Sequence, residues 1–163
     1  MFANYMINKK IKRKKWDYKK CFFLVLSTSW ITGLTFFILS EFFIINGEFG
    51  AESHPWQFPI LKIHGASSFF IMVIFGYFLS AHVKKNWHSK NKKPLLGIVL
   101  LLMPILSMIT AYTLYYISSD SFRNIVGYIH LFIGFLLPFI LIAHIFQMKS
   151  ISKNKRNEGI EIT

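Results

Sequence analysis

The chain has 163 residues, of which 53% are hydrophobic and 18% aromatic, while only 16% are charged. This composition is typical of a membrane protein. The single cysteine, Cys21, excludes an internal disulfide and a paired-cysteine metal site. The net charge of +12 resembles that of a nucleic-acid-binding protein, but the basic residues lie outside the apolar runs, which favours a topology signal and contacts with anionic lipid.

Four stretches without charged residues are each long enough to cross a hydrocarbon core about 30 Å thick, which takes about 20 residues of helix. We therefore predict an all-α integral membrane protein, a four-helix transmembrane bundle. A basic tail, residues 1–20, precedes this spanning domain, residues 21–148, and a polar tail, residues 149–163, follows it. The predicted spans are residues 21–45, 60–83, 95–117 and 123–148.

Span one follows a basic segment, as the apolar part of a signal peptide does. Its apolar run is too long for that role and no small-residue cleavage site follows it, so we expect it to remain as an anchor. The outer loop, residues 46–59, contains glycine and proline residues that disfavour a continuing helix. Pro94 suits the first turn of span three, and residues 118–121 form a turn that can cap span four.

The distribution of Lys and Arg predicts the orientation of the spans. Seventeen of the nineteen basic residues lie in the two tails and in the loop between spans two and three, and Lys62 and Arg123 are the two on the opposite side. By the positive-inside rule both termini are cytoplasmic.

Four histidines lie within the spans as two pairs, and no Asp, Glu, Lys or Arg lies between the members of a pair. His64 and His82 are eighteen residues apart in span two, and His130 and His144 are fourteen apart in span four. At about 100° and 1.5 Å per residue, each helix directs both imidazoles to one side. Titratable side chains in hydrocarbon are costly and mark functional sites. Because spans two and four run in the same direction, we expect His64 and His130 near the outer face and His82 and His144 near the inner face.

A haem iron takes two axial ligands on opposite faces of the porphyrin, and two facing helices can each supply one imidazole. Ligation by two histidines leaves no free position on the iron, which favours electron transfer over oxygen binding. We therefore predict haem b, with His64, His82, His130 and His144 as candidate ligands of the haem iron. Arg123 lies two turns before His130 on the same face. It is a candidate partner for a haem propionate. A position at the membrane interface, near the start of a helix, explains this Arg equally well.

The separations within the two pairs differ by four residues, about 6 Å of rise. Pro138 lies between His130 and His144 and is expected to kink span four, which absorbs part of this offset. If both pairs bridge, the chain binds two haems; if the offset is not absorbed, it binds one. Ser68 and Gly134 each lie one turn after an outer histidine. Their small size suits the approach of a flat macrocycle, and close helix packing explains it as readily.

Two segments carry a resemblance to a known family. They are KIHGASSFFIMVIFGYFLSAHV, from Lys62, and LYYISSDSFRNIVGYIHLFIGFLLPFILIAHI, from Leu114. They resemble a small bacterial family of four-helix membrane proteins that is similar to the dihaem cytochrome b subunits of hydrogenases and formate dehydrogenases. The resemblance covers roughly residues 20–148, including the segment from Trp30 to Gly33.

This resemblance implies a bacterial inner (cytoplasmic) membrane, the four paired histidines as haem ligands, and quinone or a partner redox protein as electron partners. It implies no particular substrate. The sequence contains no flavin motif or nucleotide-binding loop, so an electron-transfer protein with or without quinone oxidoreductase activity is compatible with it.

Two hypotheses of other classes stay open. The first is a conduit whose histidines relay protons or bind a metal ion. The depth-matched histidine pairs argue against it, because a midplane substrate site would put polar residues at the bilayer centre. The second is a cofactor-free accessory subunit of a membrane complex, in which the histidines make hydrogen bonds between helices.

Overall fold

A computed structural model describes residues 18–48, 50–80 and 95–157 of the chain. Within these ranges the chain forms four helices and one short β-hairpin, and each helix is long and apolar enough to cross a membrane. The elements are α1 (Tyr18–Phe42), β1 (Ile45–Gly47), β2 (Gly50–Glu52), α2 (Gln57–Phe78), α3 (Leu95–Tyr116) and α4 (Asp120–Asn157).

The four helices confirm the all-helical part of the predicted fold class, and their length and apolar composition fit the predicted spans. The starts of α1, α2 and α4 and the end of α1 each differ from the predicted limits by three residues, and the end of α4 differs by nine. The predicted end of span two, residue 83, lies outside the described residues. α1 ends at Phe42 because the chain turns there into the hairpin. α4 runs to Asn157, beyond the predicted end at residue 148, because no Gly or Pro interrupts the polar residues that follow the apolar run.

The outer loop contains the β-hairpin. β1 and β2 pair antiparallel, with Ile45 opposite Glu52 and Gly47 opposite Gly50. Gly50 has a φ of 119°, a conformation that side-chain-bearing residues rarely adopt. After the hairpin, the side-chain amide of Gln57 donates to the carbonyl of Leu39 at 3.1 Å, which ties the start of α2 to the end of α1.

The helices pack as two antiparallel hairpins. α1 lies along α2 and α3 lies along α4, whereas the contact between α1 and α4 is less extensive. Trp30 belongs to that contact: its indole N–H donates to the carbonyl of Phe135 at 3.3 Å, and its ring stacks on the Phe135 ring at 6.0 Å. Most large apolar side chains of the described helices stay exposed, as expected for surfaces that face lipid.

We expect reporter fusions to place both termini in the cytoplasm. A C-terminal green fluorescent protein should fluoresce and a C-terminal alkaline phosphatase should be inactive, because seventeen of nineteen Lys and Arg residues lie on the side of the termini. Fusions after Glu48, in the outer hairpin, should give the opposite pair of results. Active phosphatase at the C-terminus would contradict this orientation.

Candidate functional site

The structure brings together the outer pair of predicted site histidines. The ring centroids of His64, in α2, and His130, in α4, lie 6.3 Å apart, and the ring planes are at 90°. At 1.5 Å of rise per residue, His64 lies about 10 Å from the start of α2 and His130 about 15 Å from the start of α4. The two rings therefore meet in the half of the bundle nearer the β-hairpin. Haem ligation by this pair stays a prediction.

The hydrogen bonds of His64 determine its tautomer. Its Nδ1 atom lies 2.9 Å from the carbonyl oxygen of Ser29 and 3.4 Å from the hydroxyl oxygen of Thr32. A carbonyl oxygen only accepts, so the neutral ring carries its hydrogen on Nδ1. The Thr32 hydroxyl has its own acceptor, the carbonyl of Thr28 at 2.7 Å. Nε2 of His64 is thus the nitrogen with the free lone pair.

The same reasoning applies to His130. Its Nδ1 atom lies 2.9 Å from the hydroxyl oxygen of Thr110. That hydroxyl has one hydrogen, and carbonyls of its own helix lie within reach of it, Leu106 at 2.9 Å and Ser107 at 3.0 Å. With that hydrogen directed to one of these carbonyls, the Thr110 oxygen accepts from Nδ1–H of His130. The Ser107 carbonyl also bonds this ring, and since a carbonyl only accepts, the ring is the donor of that bond. In this arrangement Nε2 of His130 is the nitrogen with the free lone pair.

A neutral imidazole whose Nδ1–H is held by a protein acceptor is the form that binds a metal ion through Nε2. A metal–imidazole bond is about 2.0–2.1 Å long, and the ring centroid lies about 1.1 Å from each nitrogen for ring bonds of about 1.33 Å. Two imidazoles in line on one metal ion thus have centroids about 6.3 Å apart. The observed separation is 6.3 Å. The same distance also suits a metal-free edge-to-face ring pair.

Gly33 allows His64 to lie against α1. A Cβ atom at this position would be 2.9 Å from Cε1 of His64 and 3.2 Å from its Nδ1, so the ring could not keep its place. A Cβ atom on Gly127 or Gly134 of α4 would meet nothing within 4 Å. The open space at Gly134 suits its predicted role beside a macrocycle. Ser68 has a packing contact instead, its hydroxyl 3.1 Å from that of Ser29 across α1 and α2.

The residues that hold the two imidazoles belong to a repeated motif. The pattern Ser-x-Ile-Thr-x-x-Thr occurs at residues 29–35 of α1 and again at residues 107–113 of α3. Each copy precedes the helix that carries its histidine, and each histidine follows an isoleucine. Neither Thr32, Thr110 nor Gly33 is among the predicted site residues. A search of the sequence for internal repeats would find the Ser-x-Ile-Thr-x-x-Thr pattern within which all three lie.

The inner pair is described only in part. His82 lies outside the described residues, so its predicted position opposite His144 stays a prediction. Nδ1 of His144 and Oε1 of Gln147, one turn further along α4, are buried and have no hydrogen-bond partner among the described residues. Buried polar atoms in folded proteins normally have partners. These two atoms thus point to a group beyond the described part of the chain or to a bound molecule.

The predicted propionate partners lie at the helix starts on the hairpin side. Arg123 is exposed in the first turn of α4, where its backbone N–H donates to the carbonyl of Ser119 at 2.9 Å. The ammonium nitrogen of Lys62 lies 4.2 Å from the centre of the Phe58 ring. Contact of either side chain with a propionate stays a prediction.

No protein-family model, characterised protein or solved structure matches this chain. The length and composition of its four described helices suggest the class of multi-pass helical membrane proteins. A narrower assignment rests on the site chemistry of His64 and His130.

Proposed function

We propose that this protein is a membrane b-type cytochrome in which His64 and His130 are the axial ligands of haem b. In this role it carries electrons across or within a bacterial cytoplasmic membrane, between quinone and a partner redox protein. The family to which we assign it is the small four-helix family similar to the cytochrome b subunits of hydrogenases and formate dehydrogenases. The observation that carries the proposal is the proximity of the two imidazole rings, whose centroids lie 6.3 Å apart.

The chemistry of this pair fits haem in two ways. Both rings have their hydrogen on Nδ1, where protein oxygens accept it, which leaves both Nε2 atoms available to iron. Two imidazoles are also the complete set of protein ligands that a bis-histidine haem needs, since the porphyrin supplies the remaining four. Among the described residues no third His, Cys, Asp or Glu joins the pair to form a metal-binding group.

Haem b, when bound, supplies a one-electron redox centre. Ser29 holds the imidazole of His64 in place and Thr110 holds that of His130. The apolar helices around the two rings keep water from the site. If His64 and His130 both bound the iron, no coordination position would be left for oxygen, which would favour electron transfer. The low dielectric constant of the surrounding hydrocarbon strengthens the hydrogen bonds that orient the rings.

A second haem near the cytoplasmic face would have His82 and His144 as its ligands. Nδ1 of His144 has no hydrogen-bond partner among the described residues, which supports a bound group at this depth. His144 lies fourteen residues after His130 on the same helix, about 21 Å along the axis at 1.5 Å per residue. Two haems at these depths would connect the two membrane faces.

The first test is the reduced-minus-oxidised visible spectrum of detergent-purified protein from haem-replete cells, with a pyridine haemochrome assay. We expect low-spin b-type bands, with two haems per chain if both pairs bind and one if only the outer pair binds. The His54→Ala variant is the control, since His54 lies in the outer loop, where its Nδ1 accepts from the Trp56 N–H at 3.2 Å.

A colourless preparation would contradict the cytochrome proposal. Colourless protein that conducts protons or metal ions in proteoliposomes would favour the conduit. Colourless, non-conducting protein would favour the cofactor-free accessory subunit, in which the two rings form an edge-to-face contact and hydrogen bonds between helices.

A further inference from the structure

We infer that the site is built from two matching halves and that the Thr110 hydroxyl is a positioning group that sets the electron-donating strength of His130. The half-site segments are residues 29–35 of α1 and residues 107–113 of α3. This inference rests on the proposed function, because it concerns the ligands of the same haem.

The half-site segments match in hydrogen bonding as well as in sequence. In each segment the hydroxyl of the first Thr lies within hydrogen-bond distance of two backbone carbonyl oxygens, those of the residues four and three positions earlier. The distances are 2.7 and 3.1 Å for Thr32 and 2.9 and 3.0 Å for Thr110. The second Thr bonds the carbonyl four positions earlier, at 2.8 Å for Thr35 and 2.7 Å for Thr113. In both segments the first Thr then faces the Nδ1 atom of a histidine on the following helix.

The topology places these segments in equivalent positions. Each lies in the first helix of an antiparallel hairpin, α1 before α2 and α3 before α4, and each histidine lies in the second helix. His64 and His130 lie side by side, with ring centroids 6.3 Å apart. A ligand with two equivalent faces would therefore receive one imidazole from each half.

The two halves differ in how closely the threonine approaches the ring. His64 bonds the backbone carbonyl of Ser29 at 2.9 Å, and the Thr32 hydroxyl is further away at 3.4 Å. His130 bonds the backbone carbonyl of Ser107, and the Thr110 hydroxyl lies at 2.9 Å. A substitution at Thr110 can therefore remove one short side-chain hydrogen bond from His130.

This bond has a measurable consequence for a metal-bound imidazole. An acceptor on Nδ1–H fixes the ring orientation and raises the basicity of Nε2, and loss of such partners typically lowers metal affinity about 10–100-fold. A more basic ligand favours the ferric over the ferrous state, because the ferric ion carries the higher charge. Loss of the acceptor should therefore weaken haem binding and raise the midpoint potential.

The test compares Thr110→Val with Thr113→Val in the full-length protein. Thr113 lies in the same helix three residues later, and its hydroxyl bonds the carbonyl of Ile109 and no histidine. We expect Thr110→Val to weaken haem binding about 10–100-fold and to raise the midpoint potential of one haem, whereas Thr113→Val keeps wild-type values. Thr110→Ser, which retains a hydroxyl, should restore both.

Thr32→Val provides a second comparison. We expect it to raise the midpoint potential by a smaller amount, because the contact between Thr32 and His64 is longer. Wild-type potential and affinity in Thr110→Val would overturn the inference while the proposed function stands. If Thr110→Val does not fold, Thr110→Ala replaces it, with the same expected shifts and the same contradicting result. Colourless wild-type protein would instead overturn the proposed function and this inference together.

Discussion

His130→Ala and His64→Ala should each abolish the low-spin b-type absorbance of the outer haem. Each variant removes one of the two imidazoles whose ring centroids lie 6.3 Å apart, and a bis-histidine haem needs both. Loss of a direct ligand should exceed the roughly 10–100-fold loss of affinity caused by removing its outer hydrogen-bond partner. In a protein with two haems, the haemochrome assay should fall from two haems per chain to one.

The two variants should give the same result, and the double variant should add nothing, since each single change already breaks the same pair. His54→Ala should keep the wild-type spectrum. Imidazole added to His130→Ala should restore the low-spin bands by filling the space left by the ring, which separates the loss of a ligand from the loss of the fold. An unchanged spectrum in both single variants would refute the assignment of this pair.

Gly33→Ala should displace His64 although it adds only one methyl group. The new Cβ atom would lie 2.9 Å from Cε1 and 3.2 Å from Nδ1 of His64, so the ring must move and its bond to the Ser29 carbonyl must lengthen. Complete loss of such an acceptor lowers metal affinity about 10–100-fold, so the lengthened bond should lower haem affinity by up to that amount. Haem titration of purified apoprotein measures the loss, and a high-spin component in the spectrum reports the shifted ligand.

Gly65→Ala is the matched control, because Gly65 is the neighbour of His64 in the chain and a Cβ atom there would meet nothing within 4 Å. Its haem affinity should equal that of the wild type, and its stability should be equal or higher, since Ala is the better helix former by about 1 kcal/mol. Equal affinities in Gly33→Ala and Gly65→Ala would show that the contact between Gly33 and His64 does not position the ligand.

The number and approximate limits of the spans can be predicted from the sequence because they depend on composition alone. A charge-free run of about 20 residues forms a helix in hydrocarbon, where every backbone polar group must find a partner within its own segment. The polar end of α4 is harder to predict. Beyond residue 148 the apolar signal stops but the helix continues to Asn157, because helix formation needs suitable backbone propensity and not apolar side chains.

The proximity of the outer histidines can also be anticipated, from residue spacing and helix direction. The rise per residue places His64 and His130 at similar depth once α2 and α4 run the same way. The partners of their Nδ1 atoms cannot be obtained in this manner. Ser29, Gly33 and Thr110 carry no charge and lie in helices whose neighbours are unknown from a hydropathy profile, so their contacts with the imidazoles emerge only from packing.

The sequence by itself determined that four apolar helices are available to cross a membrane, and that the titratable side chains within them are histidines arranged in pairs. These properties follow from the cost of exposing polar groups to hydrocarbon, which acts on each segment separately. Only the tertiary structure decided which helices lie together, that His64 rests on Gly33, and that Thr110 holds His130. These contacts depend on the approach and rotation of neighbouring helices, where a single methyl group or hydroxyl determines how closely the surfaces fit.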